Sequence, residues 1–63
     1  MDAKDKENVI KSSQTANLLV QDVQDLVRSK DPLLAEIALE VLEQAVKVEQ
    51  RLKRIESLTA LKT

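Results

Sequence analysis

Ser29-Lys30-Asp31-Pro32 is the one strong break in a chain of 63 residues that contains a single proline and no glycine. Proline at the first position of a helix loses no intrahelical hydrogen bond, and an aspartate just before it can accept from the free amides that follow. Asp31 therefore reads as the N-cap of a second helix. Arg28 and Lys30 fall where a first helix ends, where cations suit the negative end of the helix dipole. The expected helices run from about Ala3 to Ser29 and from about Pro32 to Leu61. Two long arms on so short a connection make an all-α antiparallel helical hairpin, one domain over residues 1–63.

The inventory of residues excludes several chemistries. The chain has no Cys, His, Phe, Tyr or Trp, 43% apolar residues, and 10 Lys+Arg against 11 Asp+Glu. Strands favour aromatics and hairpin turns favour glycine, so a β fold has almost no support. Without Cys or His the commonest transition-metal sites and nucleophiles are missing, and without glycine there is no phosphate-cradling loop. Asp22 with Asp25, and Glu36 with Glu40 and Glu43, are the only carboxylate clusters. They point away from the apolar stripes, and a di-metal bundle site also requires a Glu-x-x-His pair. Ser12 and Ser13 have no base and no oxyanion loop, and read instead as loosening the first turns. The chain is expected not to be an enzyme, with no catalytic residue, metal, cofactor or small-molecule substrate.

On helix 1, Val9, Ala16, Leu19, Val20, Val23, Leu26 and Val27 fall in a stripe about 120° wide, an ordinary one-sided helix. Ser12 and Ser13 share that stripe and weaken it toward the N-terminus. Ile10 and Leu18 point elsewhere. Helix 2 carries a heptad row, Leu34, Ala38, Val41, Ala45, Val48, Leu52 and Ile55, that reads as the seam toward helix 1, continuing to Leu58. Beside it lie Ala35, Leu39, Leu42 and Val46, with Ile37 on the other side. The resulting arc is about 240° wide between Pro32 and Val48, more than one partner helix covers. Past Val48 the second flank turns polar at Glu49, Lys53 and Glu56, and Thr59 to Thr63 are expected to fray.

A core of this size is marginal, and chains that lack disulfides and metals gain stability by associating. The expected architecture is thus a homodimeric four-helix bundle, with Leu34, Ile37, Ala38, Leu39, Val41, Leu42, Ala45, Val46 and Val48 at the oligomer interface. Charge order agrees, since Glu36, Glu40 and Glu43 precede Lys47, Arg51 and Arg54. If two copies of helix 2 cross antiparallel near Ala45, Glu36 meets Arg54 and Glu43 meets Lys47 of the other copy, a self-complementary pattern. The same order also suits the helix dipole and an internal Glu43–Lys47 pair.

Lys47, Arg51 and Arg54 share an exposed strip and are the candidate nucleic-acid face. The strip is interleaved with acids, the net charge is −1, and no aromatic is available for stacking, which disfavours nucleic acid. No apolar run exceeds three residues, so no membrane span or signal-peptide core is expected, and the chain reads as cytoplasmic. In plan and length, though not in residues, it resembles the plasmid repressor-of-primer family. That resemblance implies an RNA-binding bundle whose polar face lies on helix 1, where this chain has Lys4, Asn8, Lys11, Gln14, Thr15, Asn17 and Gln21. The family's face includes an aromatic that is missing here, and no residue carries over. The expected activity is that of a regulator or adaptor that binds itself and another protein. The alternatives are an RNA- or DNA-binding bundle and a subunit that folds only with a different chain.

Overall fold

Asp2 starts the first helix by accepting a hydrogen bond from the Asp5 amide on its carboxylate, at 2.8 Å. The computed structural model describes residues 2–61. α1 spans Ala3–Val27 and α2 spans Pro32–Leu61. α1 closes two residues earlier than the expected Ser29. The Arg28 amide donates to the Asp25 carbonyl at 3.2 Å and the Ser29 amide to the Leu26 carbonyl at 3.0 Å. These three-residue spacings tighten the last turn and release the chain before Asp31.

Asp31 caps α2 as expected. Its Oδ1 accepts from the Leu33 amide at 3.0 Å and from the Leu34 amide at 3.4 Å. Its carbonyl accepts from the Ala35 amide at 3.0 Å. The Ser29 hydroxyl oxygen accepts from the Asp31 amide at 3.1 Å, which fixes the entry of the cap. Four residues thus reverse the chain, and the helices pack along their length into a rod with extents of 47 × 14 × 10 Å.

The seam between the helices follows a heptad rhythm on both sides. On α1 the inward residues are Val9, Ser13, Ala16, Val20, Val23 and Val27. On α2 they are Ala35, Ala38, Leu42, Ala45, Glu49, Leu52, Glu56 and Thr59. Both sets alternate steps of three and four, the spacing that holds one stripe against a neighbouring helix. Ser13 and Ala16 on α1 and Ala35, Ala38 and Ala45 on α2 are small, and small side chains at a contact let helix axes approach closely.

This seam differs from the one expected on α2. The two rows share Ala38, Ala45 and Leu52, but Leu34, Val41, Val48 and Ile55 stay 40%, 40%, 45% and 41% exposed. Leu58, expected to extend the seam, is also exposed. Ala35, Leu42, Glu49 and Glu56 take their places. The physical reason is steric and polar together. Ala35 fits a close approach better than Leu34 does, and Glu49 finds a hydrogen-bond donor on α1 that offsets its burial.

On α1, Leu19 and Leu26 were expected inside the stripe and lie instead at its edge, 47% and 46% exposed, while Ser13 is buried. Ile10 and Leu18 do point away, as expected. Thr59 is buried inside α2 and its hydroxyl donates to the Ile55 carbonyl at 2.9 Å, so the helix is ordered where fraying was expected to begin. The rest of that expectation, at Lys62 and Thr63, lies outside the described residues.

Candidate interaction surfaces

Among the described residues the hairpin buries five apolar ones, all of them alanine or valine: Ala16, Val20, Val23, Ala38 and Ala45. Among the described residues no large side chain is wholly enclosed, and twelve large apolar side chains remain at least 40% exposed. Single exposed leucines are ordinary on a soluble surface, but a contiguous row of them marks a contact site.

Such a row exists on one broad side of the hairpin. α2 contributes Leu34, Val41, Val48 and Ile55, each seven residues from the next. α1 contributes Leu19 and Leu26, also seven apart, with Ser12 continuing the row toward the N-terminus. A shallow groove joins the two rows at Leu19 and Val48, lined also by Lys11, Ser12, Thr15 and Ala16 from α1 and by Leu52 from α2. Ile37 is 50% exposed and borders the row on α2. A period of seven keeps a residue at nearly the same angle of a helix, so each row is a straight apolar edge.

A second, smaller apolar patch flanks α2 on the opposite side. Leu39, Leu42 and Val46 line it, with Glu43, Lys47 and Gln50 at its rim. Seven residues after Val46 the same edge becomes Lys53, so the patch ends where the charge begins.

The residues expected at an oligomer interface are therefore divided among three places. Ala38 and Ala45 lie inside the hairpin's own seam, 3% and 5% exposed. Leu34, Ile37, Val41 and Val48 lie on the broad apolar side, and Leu39, Leu42 and Val46 on the smaller patch. Glu36, Glu43, Lys47, Arg51 and Arg54 are all exposed. The ion pairs of the described residues are Lys11–Glu7 at 3.3 Å and Lys53–Glu49 at 4.0 Å. Glu43 and Lys47, one turn apart, do not pair with each other within the chain.

Two features escaped the sequence reading. Leu19 and Leu26 join the exposed surface, and their spacing of seven, matching that of Leu34 to Ile55, was the available signal. The second feature is polar. Asn17 Nδ2 donates to Glu49 Oε2 at 2.6 Å across the helices, and Gln21 Nε2 donates to Asn17 Oδ1 at 2.8 Å. Glu49 and Asn17 are 32 residues apart, and only the fold brings them together.

Among the described residues no three His, Cys, Asp or Glu side chains converge as a metal site would require. No helix of the described residues is long and apolar enough to cross a membrane. No protein-family model matches the chain, and no curated protein or solved structure is significantly similar to it.

Proposed function

We propose that this chain is a non-enzymatic interaction protein, a small regulator or adaptor that works by associating with itself into a four-helix bundle and by binding another protein. The observation that carries this reading is the contiguous apolar edge formed by Leu19, Leu26, Leu34, Val41, Val48 and Ile55 on a hairpin whose own core is alanine and valine. A stable domain of this length needs more buried apolar surface than that core supplies, and association is the route open to a chain without cysteines or a metal site.

Sedimentation equilibrium with circular dichroism tests it. The expected result is a strongly helical species of twice 7.1 kDa. A folded, helical monomer at micromolar concentration overturns the self-association. A disordered monomer replaces it with a subunit that folds on a different chain.

A further inference from the structure

We infer that the broad apolar side of the hairpin docks on the same side of a second copy with the two turns at opposite ends of the bundle. This rests on the self-association proposed above and adds to it the face and the orientation. Area, periodicity and charge lead to it.

The chain exposes 5059 Å². A compact monomer of 7.1 kDa exposes about 4,100 Å² by the usual scaling of surface with mass. The excess, on the order of 1,000 Å², is comparable to the roughly 800 Å² that each partner buries in a standard protein interface. The radius of gyration, 14.5 Å, likewise exceeds the approximately 10.6 Å of a compact domain of this length. A second rod laid along the first buries part of this surface and brings the radius of gyration nearer to that of a compact body of its size.

The apolar side is suited to itself. Its rows repeat every seven residues on both helices, the period by which aligned helices keep their edges in register. An antiparallel crossing of α2 on its copy near Ala45 sets Val41 against Val48 of the second copy and Leu34 against Ile55 of the second copy. On the edge of α2 turned away from α1, that crossing brings Glu40 near Arg51 of the second copy, whereas Glu36 and Glu43, two residues after Leu34 and Val41, lie on the opposite side of the helix. The two apolar pairings share a single register, as an isologous interface requires.

Orientation follows from the charge along the rod. From Ala16 to Val46, the half that holds the turn, six acids stand against two bases, a formal −4. The described residues of the open half, 2–15 and 47–61, carry seven bases and five acids, a formal +2. Turns at opposite ends place each acidic half beside a basic one. Turns at the same end place −4 beside −4, and like-charge juxtaposition is how interfaces reject a wrong arrangement.

The chain lacks cysteine, so Lys30→Cys in the turn accepts a single spin label per copy. Pulsed dipolar spectroscopy on the dimer should give a label separation of about 40 Å, the rise of nearly thirty helical residues. A separation near 20 Å, roughly two helix diameters, overturns the orientation while leaving self-association intact. Val48→Asp, on the broad side, should raise the dimer dissociation constant at least roughly tenfold by burying an unpaired charge, and Val46→Asp should leave it nearly unchanged. The reverse ranking overturns the face. A wild-type monomer overturns the underlying proposal as well, so the outcomes are distinguishable.

Discussion

Asn17 holds Glu49: its Nδ2 lies 2.6 Å from Glu49 Oε2, in a direct polar link from α1 to α2. The Glu49 side chain is 12% exposed, with Lys53 Nζ at 4.0 Å on its solvent side. A carboxylate in a helix seam is tolerated only while its oxygens are satisfied, and the donor here comes from the opposite helix. Asn17 is itself held by Gln21 one turn along α1, which orients the donor toward α2. The link fixes which stripe of α2 faces α1, because a rotation of α2 that buried Val48 would pull Glu49 away from its donor.

Asn17→Ala should therefore destabilise the protein by about 1–3 kcal/mol, the usual cost of leaving a buried polar group unsatisfied. Replacing both partners, Asn17→Leu with Glu49→Leu, should recover most of that loss or exceed wild type, because no orphaned group remains. Urea unfolding monitored by helicity measures both. Equal destabilisation by the single and double variants is evidence against the link as a polarity constraint.

Ala38 and Ala45 sit in the seam at 3% and 5% exposure. Leucine at either position has no room without separating the helices, and overpacking typically costs about 1–3 kcal/mol. Ala38→Leu and Ala45→Leu should each lower the urea midpoint, whereas Leu33→Ala, at a position 66% exposed, should leave it nearly unchanged. A neutral Ala45→Leu contradicts the close approach of α1 and α2.

The caps should differ in weight. Asp31 accepts from two amides at the start of α2, next to the turn that sets the hairpin. Asp31→Ala should cost about 1 kcal/mol of global stability. Asp2 makes the same kind of bond at the end of the hairpin far from the turn, where opening is local and leaves the remainder folded. Asp2→Ala should increase amide exchange in the first turn of α1 with little change in the unfolding midpoint. Equal shifts in midpoint refute this difference.

The turn and both helix starts were legible in the sequence because their causes are local: Pro32 has no amide hydrogen, Asp31 precedes it, and no glycine interrupts the arms. The face of α2 was not legible from hydrophobicity. Two heptad rows pass through Ala38, Ala45 and Leu52, and the more apolar one, with Leu34, Val41, Val48 and Ile55, looks like the better core. The chain buries the poorer row, with Ala35, Glu49 and Glu56, since size and a distant donor decide the packing. Periodicity identifies candidate stripes, and volumes and hydrogen-bond partners across the seam choose between them. The same choice explains why the apolar side forms at all: the richer stripe remains outside, beside Leu19 and Leu26.

Glu40 and Arg51 give the most direct test of an antiparallel second copy. They are 11 residues apart on one helix, about 16 Å, so they cannot meet within the chain. Glu40→Lys should weaken the dimer several-fold at low salt by placing a lysine near Arg51 of the other copy. Adding Arg51→Glu should restore affinity, and raising the salt should shrink both effects, because exposed charges are screened. Analytical ultracentrifugation of the two single variants, the double variant and wild type completes the cycle. Additive losses show that the two residues do not face each other. Recovery in the double variant has no intrachain explanation at that separation, unlike a swap of Glu43 and Lys47, which are neighbours on one face of the same helix.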